Sequence, residues 1–247
     1  MLQRSGTPEQ RGQFLQALNS RDSKRDRYVA SEQTIQEHRD TLLAVQRTGN
    51  KALIGFSHFS LGNHLHWSGR LDEAEQEMRT GIALAEQTGN TRLLARCLTF
   101  LPAIFRQRGD VEGVRTIVTR ALTVPEARYT AQIIGHRAWI AWREGKLAEA
   151  ESYGRASVES GQQQRMGVNP FQWIGIWPLI GVALARENSA EAIQRARLLL
   201  DDTQQLPPRE IGEPLEAIIN AWDGGEQEEA WAMLKGLVPG AEKRGYL

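Results

Sequence analysis

Histidines that could bind a metal ion are concentrated in one short stretch of the chain. His58, His64 and His66 lie within a single predicted helix. Ligands on a helix share a face only when they stand three or four residues apart, and the spacings here are six and two. The sequence therefore does not predict a zinc site at these residues.

The glutamates that follow could serve acid–base chemistry. Glu73, Glu75 and Glu77 occupy the first turns of the next predicted helix, where the helix dipole favours acidic side chains, so they indicate a solvated helix start. The chain also contains no Gly-x-x-x-x-Gly-Lys-Ser/Thr loop, no Gly-x-Gly-x-x-Gly, no His-Glu-x-x-His and no Cys-x-x-Cys. We predict that the chain is not an enzyme and requires no cofactor or metal.

Tryptophan and arginine are the residue types with the clearest functional content. The chain has seven tryptophans. Residues 91–120 are rich in arginine and carry only Asp110 and Glu112 as acids; the arginines are Arg92, Arg96, Arg106, Arg108, Arg115 and Arg120. Both residue types dominate binding hot spots, because they bury a large area at a small entropy cost and supply fixed donors. The pattern favours binding over catalysis.

Composition argues against a general attraction to polyanions. Thirty basic and 30 acidic residues give a formal net charge of zero, so no global field draws the chain onto nucleic acid or an anionic membrane. No stretch resembles a membrane span or a secretory leader, and the single cysteine, Cys97, suits a reducing compartment. We expect a soluble cytoplasmic protein that binds neither nucleic acid nor membrane directly.

The elements that must position these residues are helices. Apolar residues recur three and four apart and no alternation is sustained, which predicts an all-α fold. Similar sequence segments recur about forty residues apart: residues 36–50 align with residues 76–90. Five helix pairs are predicted, turning at Gly69, Gly109, Gly145, Asn188 and Gly225. Such a period is the signature of a helical repeat array.

A small residue follows each predicted turn, five positions after each turn glycine and four positions after Asn188. Small side chains are expected where the two helices of a pair cross closely. These residues are Ala74, Val114, Ala150, Ala192 and Ala230.

The N-terminal part divides into two predicted regions. Residues 1–27 are predicted to be an extension, partly disordered or a polar helix, and residues 28–247 the repeat domain, which begins with a half-visible sixth repeat. Two explanations stay open: the chain was cut from a longer polypeptide, or the partial repeat is a cap with a polar outer face. An uncovered edge at this repeat would allow a homodimer.

These residues resemble the tetratricopeptide repeat pattern of a Leu-Gly pair, a turn glycine and two small residues. The first copy matches through Leu61, Gly62, Leu65, Gly69, Leu71, Ala74, Met78 and Gly81. The second matches through Leu101, Phe105, Gly109, Val114, Val118 and Ala121, with Pro102 at the glycine position, and the third through Ala141, Gly145, Leu147, Ala150 and Ser157. The resemblance covers residues 28–245 and implies a right-handed superhelix of about five hairpins plus a partial repeat.

The repeats are longer than the usual tetratricopeptide period. Residues 83–90 are similar to the C-terminal repeat regions of large bacterial signalling ATPases, LuxR-type transcriptional activators and nucleotide cyclases. The resemblance implies a non-catalytic interaction or regulatory arm of such a protein. The missing phosphate loop implies that any ATPase module lies outside this chain.

In arrays of this family, the first helix of each pair lines the concave surface. Mapping each copy from its turn predicts a groove of aromatic and arginine side chains. Its residues are Phe56, Phe59, Asn63, His66, Trp67, Arg96, Arg106, Trp139, Trp142, Arg143, Trp177 and Trp222. Such a groove suits a peptide or helix of a partner protein that carries apolar and acidic side chains.

Two other interpretations of the same residues stay open. The tryptophans could pack against the next hairpin as ordinary core. Alternatively, a closed groove could bind a small-molecule effector that shifts the array between two curvatures.

Overall fold

A computed structural model describes residues 29–125, 129–163, 171–202, 204 and 206–247, with single residues 7, 10, 14, 17, 21 and 27 of the N-terminal stretch. These residues form eleven multi-turn α-helices and no strand, which confirms the predicted all-α class. The helices are α1 (Glu32–Gln46), α2 (Lys51–Trp67), α3 (Leu71–Gln87), α4 (Thr91–Gln107), α5 (Val111–Ala121), α6 (Thr130–Arg143), α7 (Leu147–Gln163), α8 (Trp173–Ala185), α9 (Ser189–Leu198), α10 (Arg209–Asp223) and α11 (Gln227–Lys243).

A repeated sequence, glycine followed by a capping residue, sets the ends of these helices. The glycines take positive φ angles that end one helix, as at Gly49 (66°) and Gly89 (63°). Asn50 and Asn90 then accept hydrogen bonds from the backbone N–H of Leu53 and Leu93, three residues on. The aligned segments 36–50 and 76–90 therefore end alike, as their matching sequences predict.

The five predicted pair turns are confirmed, and one of them lacks glycine. Gly69, Gly109, Gly145 and Gly225 have φ between 70° and 91°. The remaining turn, the fourth along the chain, places Glu187 at φ 54°, a conformation that residues with a Cβ rarely adopt. Asn188 then caps α9 by accepting from Glu191 N.

The predicted crossing residues are all buried. Ala74, Val114, Ala150, Ala192 and Ala230 are each 0% exposed. Beside Ala74, a Cβ placed on Gly62 would lie 3.1 Å from the carbonyl oxygen of Ala74, so α2 and α3 approach closely. The sequence spacing thus located the contacts that hold the helix pairs together.

The chain divides into two compact units. Unit 1 is Met1–Ile104 with Val124–Glu126, and unit 2 is Phe105–Thr123 with Ala127–Leu247. Unit 1 contains α1 to α3 and most of α4, whereas unit 2 begins with the last residues of α4 and contains α5 to α11. The predicted extension, residues 1–27, lies almost entirely outside the described residues.

First helices of successive pairs pack on one another within each unit. In unit 1, Arg96 of α4 lies over Phe56 of α2. In unit 2, α6 packs on α8, and a Cβ on Gly135 would lie 2.9 Å from the backbone nitrogen of Gly175. No described helix has both the length and the apolar character needed to cross a bilayer.

Candidate functional site

Helix α4 carries an arginine into the interior of unit 2. Arg106 is 1% exposed, and all three of its hydrogen bonds go to main-chain carbonyl oxygens. Nε donates to Gly245 O at 2.8 Å, and the two terminal nitrogens donate to Ile174 O at 3.1 Å and Tyr246 O at 2.7 Å. Among the described residues, no carboxylate forms an ion pair with it. Burial lowers the pKa of Arg106 to about 9, so the side chain is still a cation at neutral pH.

Aromatic rings complete the surroundings of this buried charge. The guanidinium carbon lies 5.3 Å from the ring centroid of Trp139 and 5.4 Å from that of Trp173. An aromatic face attracts a cation through its quadrupole, and the attraction grows when water is excluded. Carbonyl dipoles and π faces together therefore replace the water that Arg106 loses.

Two of the three carbonyls belong to the segment that follows α11, which we call the tail (Gly245–Leu247). Tyr246 is 2% exposed and Leu247 is 1% exposed. The Tyr246 ring stacks on Trp177, with centroids 5.6 Å apart and planes at 23°, and lies 4.8 Å from the centroid of Trp173. Burial of the hydroxyl raises the pKa of Tyr246.

Glycines at two places make room for the tail. Gly245 has φ 72°, and a Cβ there would lie 2.5 Å from the backbone nitrogen of Gln107. On α8, a Cβ at Gly181 would lie 2.9 Å from Leu247 Cδ2 and would also collide with the indole of Trp142. We call Arg106, Trp139, Trp142, Trp173 and Trp177 the tail site. It holds three consecutive residues, the first two of which also cap α11: Gly245 has a positive φ, and Tyr246 N donates to Ala241 O at 2.9 Å.

The tail site contains hydrogen-bond donors that the tail does not use. The indole N–H groups of Trp139 and Trp177 are buried and have no acceptor among the described residues. A buried donor without an acceptor costs about 1–3 kcal/mol.

The predicted groove residues of unit 1 form a second, more open cluster. The guanidinium carbon of Arg96 lies 5.1 Å from the ring centroid of Phe56 and 4.7 Å from that of Phe59. Arg96 and Phe56 are partly exposed, whereas Phe59 is 4% exposed and meets Phe100 edge to face. The Nε atom of Arg96 is buried and has no hydrogen-bond partner among the described residues. We call Phe56, Phe59 and Arg96 the Arg96 cluster.

Buried histidines lie on the helices that surround this cluster. His38 of α1 stacks on His64 of α2, with ring centroids 3.7 Å apart. Burial, together with the neighbouring His64, lowers the pKa of His38 to about 3, and burial also lowers the pKa of His64. Burial lowers the pKa of His66 to about 4. These imidazoles are neutral at neutral pH. Within the described residues, no group of three His, Cys, Asp or Glu side chains is placed to hold a metal ion.

The predicted groove is only partly a surface. Phe59, His66, Arg106, Trp139 and Trp177 are buried, so none of them lines an open channel. For Trp139 and Trp177 the structure favours the packing interpretation, because Trp139 lies beside the buried Arg106 and Trp177 stacks on the buried Tyr246. Asn63, Trp67, Trp142 and Trp222 are half-buried, and Arg143 is exposed.

The prediction brought together some of the right residues and missed others. Arg106, Trp139, Trp142 and Trp177 meet in the tail site, whereas Trp222 makes no ring contact with it among the described residues. Trp173, Tyr246 and Leu247 were not among the predicted groove residues. An aromatic and an aliphatic residue directly after a helix-ending glycine were the only local signal for the tail.

A separate cavity of about 370 Å³ lies among α5, α6 and α7 of unit 2. Three cationic residues, Arg115, Arg137 and Lys146, line it together with two carboxylates, Glu144 and Glu149. Glu144 pairs with both Arg115 and Lys146, while Arg137 donates to the Tyr153 hydroxyl at 2.5 Å. This cavity is on different helix faces from the predicted groove.

Comparison with known proteins leaves the family open. No protein-family model matches this chain, and no curated protein matches its sequence.

Proposed function

We propose that this chain is a non-catalytic, tetratricopeptide-like interaction domain that binds an extended segment of a partner protein in the tail site. The wider setting we propose is a bacterial signalling or transcription-regulating protein. The observation that carries the proposal is the tail itself. Arg106 donates to two consecutive main-chain carbonyls, and Trp177 stacks on the ring of the residue that supplies one of them, Tyr246. In the proposed function, a partner segment would make the same two kinds of contact.

The division of labour in the tail site supports this function. Main-chain carbonyls are common to all peptides, so Arg106 would provide affinity without selecting a sequence. Trp173 and Trp177 enclose one ring, and the Gly181 face of α8 accepts one aliphatic side chain. These contacts would supply specificity, because large aromatic contacts in a desolvated centre dominate binding energies.

A peptide-display screen against the full chain tests the proposal. Selected peptides should lose at least about ten-fold in affinity, or about 1.4 kcal/mol, when Trp173 is changed to Ala. Trp231→Ala is the matched control, because Trp231 is also a partly buried tryptophan of unit 2 but contacts Lys235 instead of the tail site. It should change affinity by less than about two-fold, within the range of a neutral interface residue.

Circular dichroism must show both variants folded. Selected peptides that bind Trp173→Ala as tightly as the unaltered protein would place binding elsewhere and remove the proposal.

Small-molecule sensing is the second candidate function, and the cavity among α5, α6 and α7 favours it. Its volume falls in the range of ligand pockets, and its lining carries one more cation than carboxylates, an excess that suits a carboxylate or phosphate. A thermal-shift screen with anionic metabolites should then raise the melting temperature of the unaltered protein but not of Arg137→Ala. Equal shifts in both proteins would exclude the cavity.

A further inference from the structure

One cation of the cavity among α5, α6 and α7 stands apart from the ion pairs of the other two. Arg115 and Lys146 both pair with Glu144. Hydrogen bonds from Lys146 and Arg115 lower the pKa of Glu144, so this carboxyl group is an anion at neutral pH. Arg137 instead donates to the Tyr153 hydroxyl at 2.5 Å and forms no ion pair within the described residues. The unpaired positive charge of the cavity therefore lies at Arg137.

Arg137 and Tyr153 together present hydrogen-bond donors to the cavity. The guanidinium carbon of Arg137 lies 4.1 Å from the centroid of the Tyr153 ring, an attractive contact that positions the cation. Because the Tyr153 oxygen accepts from Arg137, the phenolic proton is available to a different acceptor. A guanidinium also has more N–H groups than the one that this hydrogen bond uses. A carboxylate of a ligand can accept from both side chains, and hydrogen bonds between charged groups are the strong ones.

Another part of the lining is an apolar wall, which consists of Val118 of α5, Leu122 at the end of α5 and Ile140 of α6. Leu122 is 57% exposed, so a ligand that covers it removes apolar surface from water. The cavity volume of about 370 Å³ lies near the lower end of the range for ligand pockets, about 300–1,000 Å³. The cavity thus offers a small molecule both a cationic contact and an apolar one.

Resting on the second candidate function above, we infer that this cavity binds a monocarboxylate with an apolar body: the carboxylate accepts from Arg137 and Tyr153, and the body packs on the apolar wall. The charge of the lining favours a monoanion. Three cations stand against Glu144 and Glu149, which leaves one positive charge for a ligand to neutralise. A phosphate monoester carries a charge of about −1.5 to −2 at neutral pH, and the surplus negative charge would be repelled by the two glutamates.

The first test compares ligands on the unaltered protein by isothermal titration calorimetry. Octanoate is the probe. Its matched partners are 1-octanol, which lacks the charge, acetate, which lacks the apolar body, and octyl phosphate, which carries more charge. Octanoate should bind at least about ten-fold more tightly than 1-octanol, because only the carboxylate forms charge-assisted hydrogen bonds. It should exceed acetate by at least about ten-fold through burial of its methylene groups. Octyl phosphate should bind more weakly than octanoate.

Variants of the lining then locate the binding. Arg137→Met removes the charge and keeps a long side chain, so it should weaken octanoate binding at least about ten-fold. Tyr153→Phe keeps the ring and should weaken it about five-fold. Leu122→Ser changes an exposed side chain, which keeps the test decisive if Arg137→Met fails to fold, and should weaken octanoate binding at least about three-fold. Arg143→Met is the matched control, because Arg143 is an exposed arginine of α6 outside this lining, and it should leave the affinity unchanged.

Three outcomes would overturn the inference, and they separate it from the function on which it rests. Octanoate that binds no more tightly than 1-octanol, or equally to the unaltered protein and Arg137→Met, would show that Arg137 does not hold a carboxylate. Tighter binding of octyl phosphate, lost in Arg137→Met, would replace the carboxylate site by a phosphate site and leave small-molecule binding in place. Absence of any Arg137-dependent binding, by these ligands and by the metabolites of the thermal-shift screen, would remove the second candidate function as well.

Discussion

The Arg96 cluster of unit 1 and the tail site of unit 2 each contain an arginine of α4 beside aromatic rings, which are phenylalanines in unit 1 and tryptophans in unit 2. Both place an arginine of α4 over two aromatic rings at 4.7–5.4 Å. They differ in what meets the N–H groups: Arg106 donates to three carbonyls, whereas Arg96 has a buried Nε without a partner among the described residues. Aromatic rings contact the guanidinium in both places, but only at Arg106 do main-chain carbonyls accept hydrogen bonds from its N–H groups.

The largest expected effect is the response of unit 1 to acid, because three histidines of this unit, His38, His64 and His66, are buried. The folded-state pKa of His38 is about 3 and that of His66 about 4, and burial also lowers the pKa of His64. The unfolded chain, with histidine pKa near 6.5, therefore takes up protons first as the pH falls. The stability of unit 1 should be complete above about pH 6.5 and decline toward pH 4, by about 2 kcal/mol for each of the more shifted histidines at pH 5.

Hydrogen exchange measures this effect helix by helix. Amides of α1 and α2 should exchange faster at pH 5 than at pH 7.5, after correction for intrinsic rates. Unchanged protection of these helices would contradict the expected proton linkage.

Truncating an aromatic ring should cost unit 2 more than unit 1. Trp139 is 0% exposed, so Trp139→Ala should lower the free energy of unfolding by about 3–5 kcal/mol through lost burial and a cavity. Phe56 is partly exposed, and Phe56→Ala should cost about 1 kcal/mol, the central value for point mutations. Urea denaturation of both variants makes the comparison. Similar costs would mean that the two clusters are equally packed.

Replacing each arginine by methionine isolates the role of the carbonyls. Arg106→Met leaves three buried carbonyls without their donor and should cost about 2–3 kcal/mol. Arg96 makes no hydrogen bond to the part of the chain that the structure describes, so Arg96→Met should stay within about 0.5 kcal/mol of the unaltered protein. If thermal unfolding showed a larger loss of stability for Arg96→Met than for Arg106→Met, the ring contacts, rather than the hydrogen bonds to carbonyls, would supply most of the stabilisation.

Enlarging the small residue at a helix crossing should lower the stability of both units by a similar amount. Ala74 of unit 1 and Ala150 of unit 2 are both fully buried, so substitution by leucine should destabilise either unit by about 1–3 kcal/mol through overpacking. A melting temperature unchanged by either substitution would mean that the crossing tolerates a larger side chain.

The smallest expected effect is a gain in stability. Glu187 adopts φ 54° at the position where unit 1 has Gly69, so Glu187→Gly should stabilise unit 2 by about 1 kcal/mol. The control, Gly69→Ala, forces an L residue into φ 80° and should destabilise by a similar amount. Calorimetry that showed no change for either variant would mean that the turn angles relax freely.

The features that the sequence predicted, helix ends and helix-crossing residues, depend on residues close to one another along the chain. Glycine at Gly69 and a cap at Asn50 act over a few residues, and the small residues at Ala74 and Ala150 recur at a constant distance from a turn. Local chemistry of this kind leaves a visible pattern, and it located both the helices and their contacts.

The candidate site was harder to predict because it is assembled over long distances. Arg106 and Tyr246 are 140 positions apart, and no periodicity relates them. Sequence mapping could place Trp139 and Trp177 on first helices, but it could not show that the tail covers them. A repeat pattern predicts which helix faces meet in adjacent repeats. It does not predict the contacts of the residues that follow the last helix pair.

The stacking of Tyr246 on Trp177 has a spectroscopic consequence. Two aromatic chromophores 5.6 Å apart, in a fixed and nearly parallel orientation, couple their electronic transitions and produce near-ultraviolet circular dichroism. Six of the seven tryptophans lie in unit 2, and Trp67 alone lies in unit 1. The chain thus contains its own optical probe. Separation of Tyr246 from Trp177 would change the near-ultraviolet circular dichroism without any label, and unit 1 contributes one indole to the remaining signal.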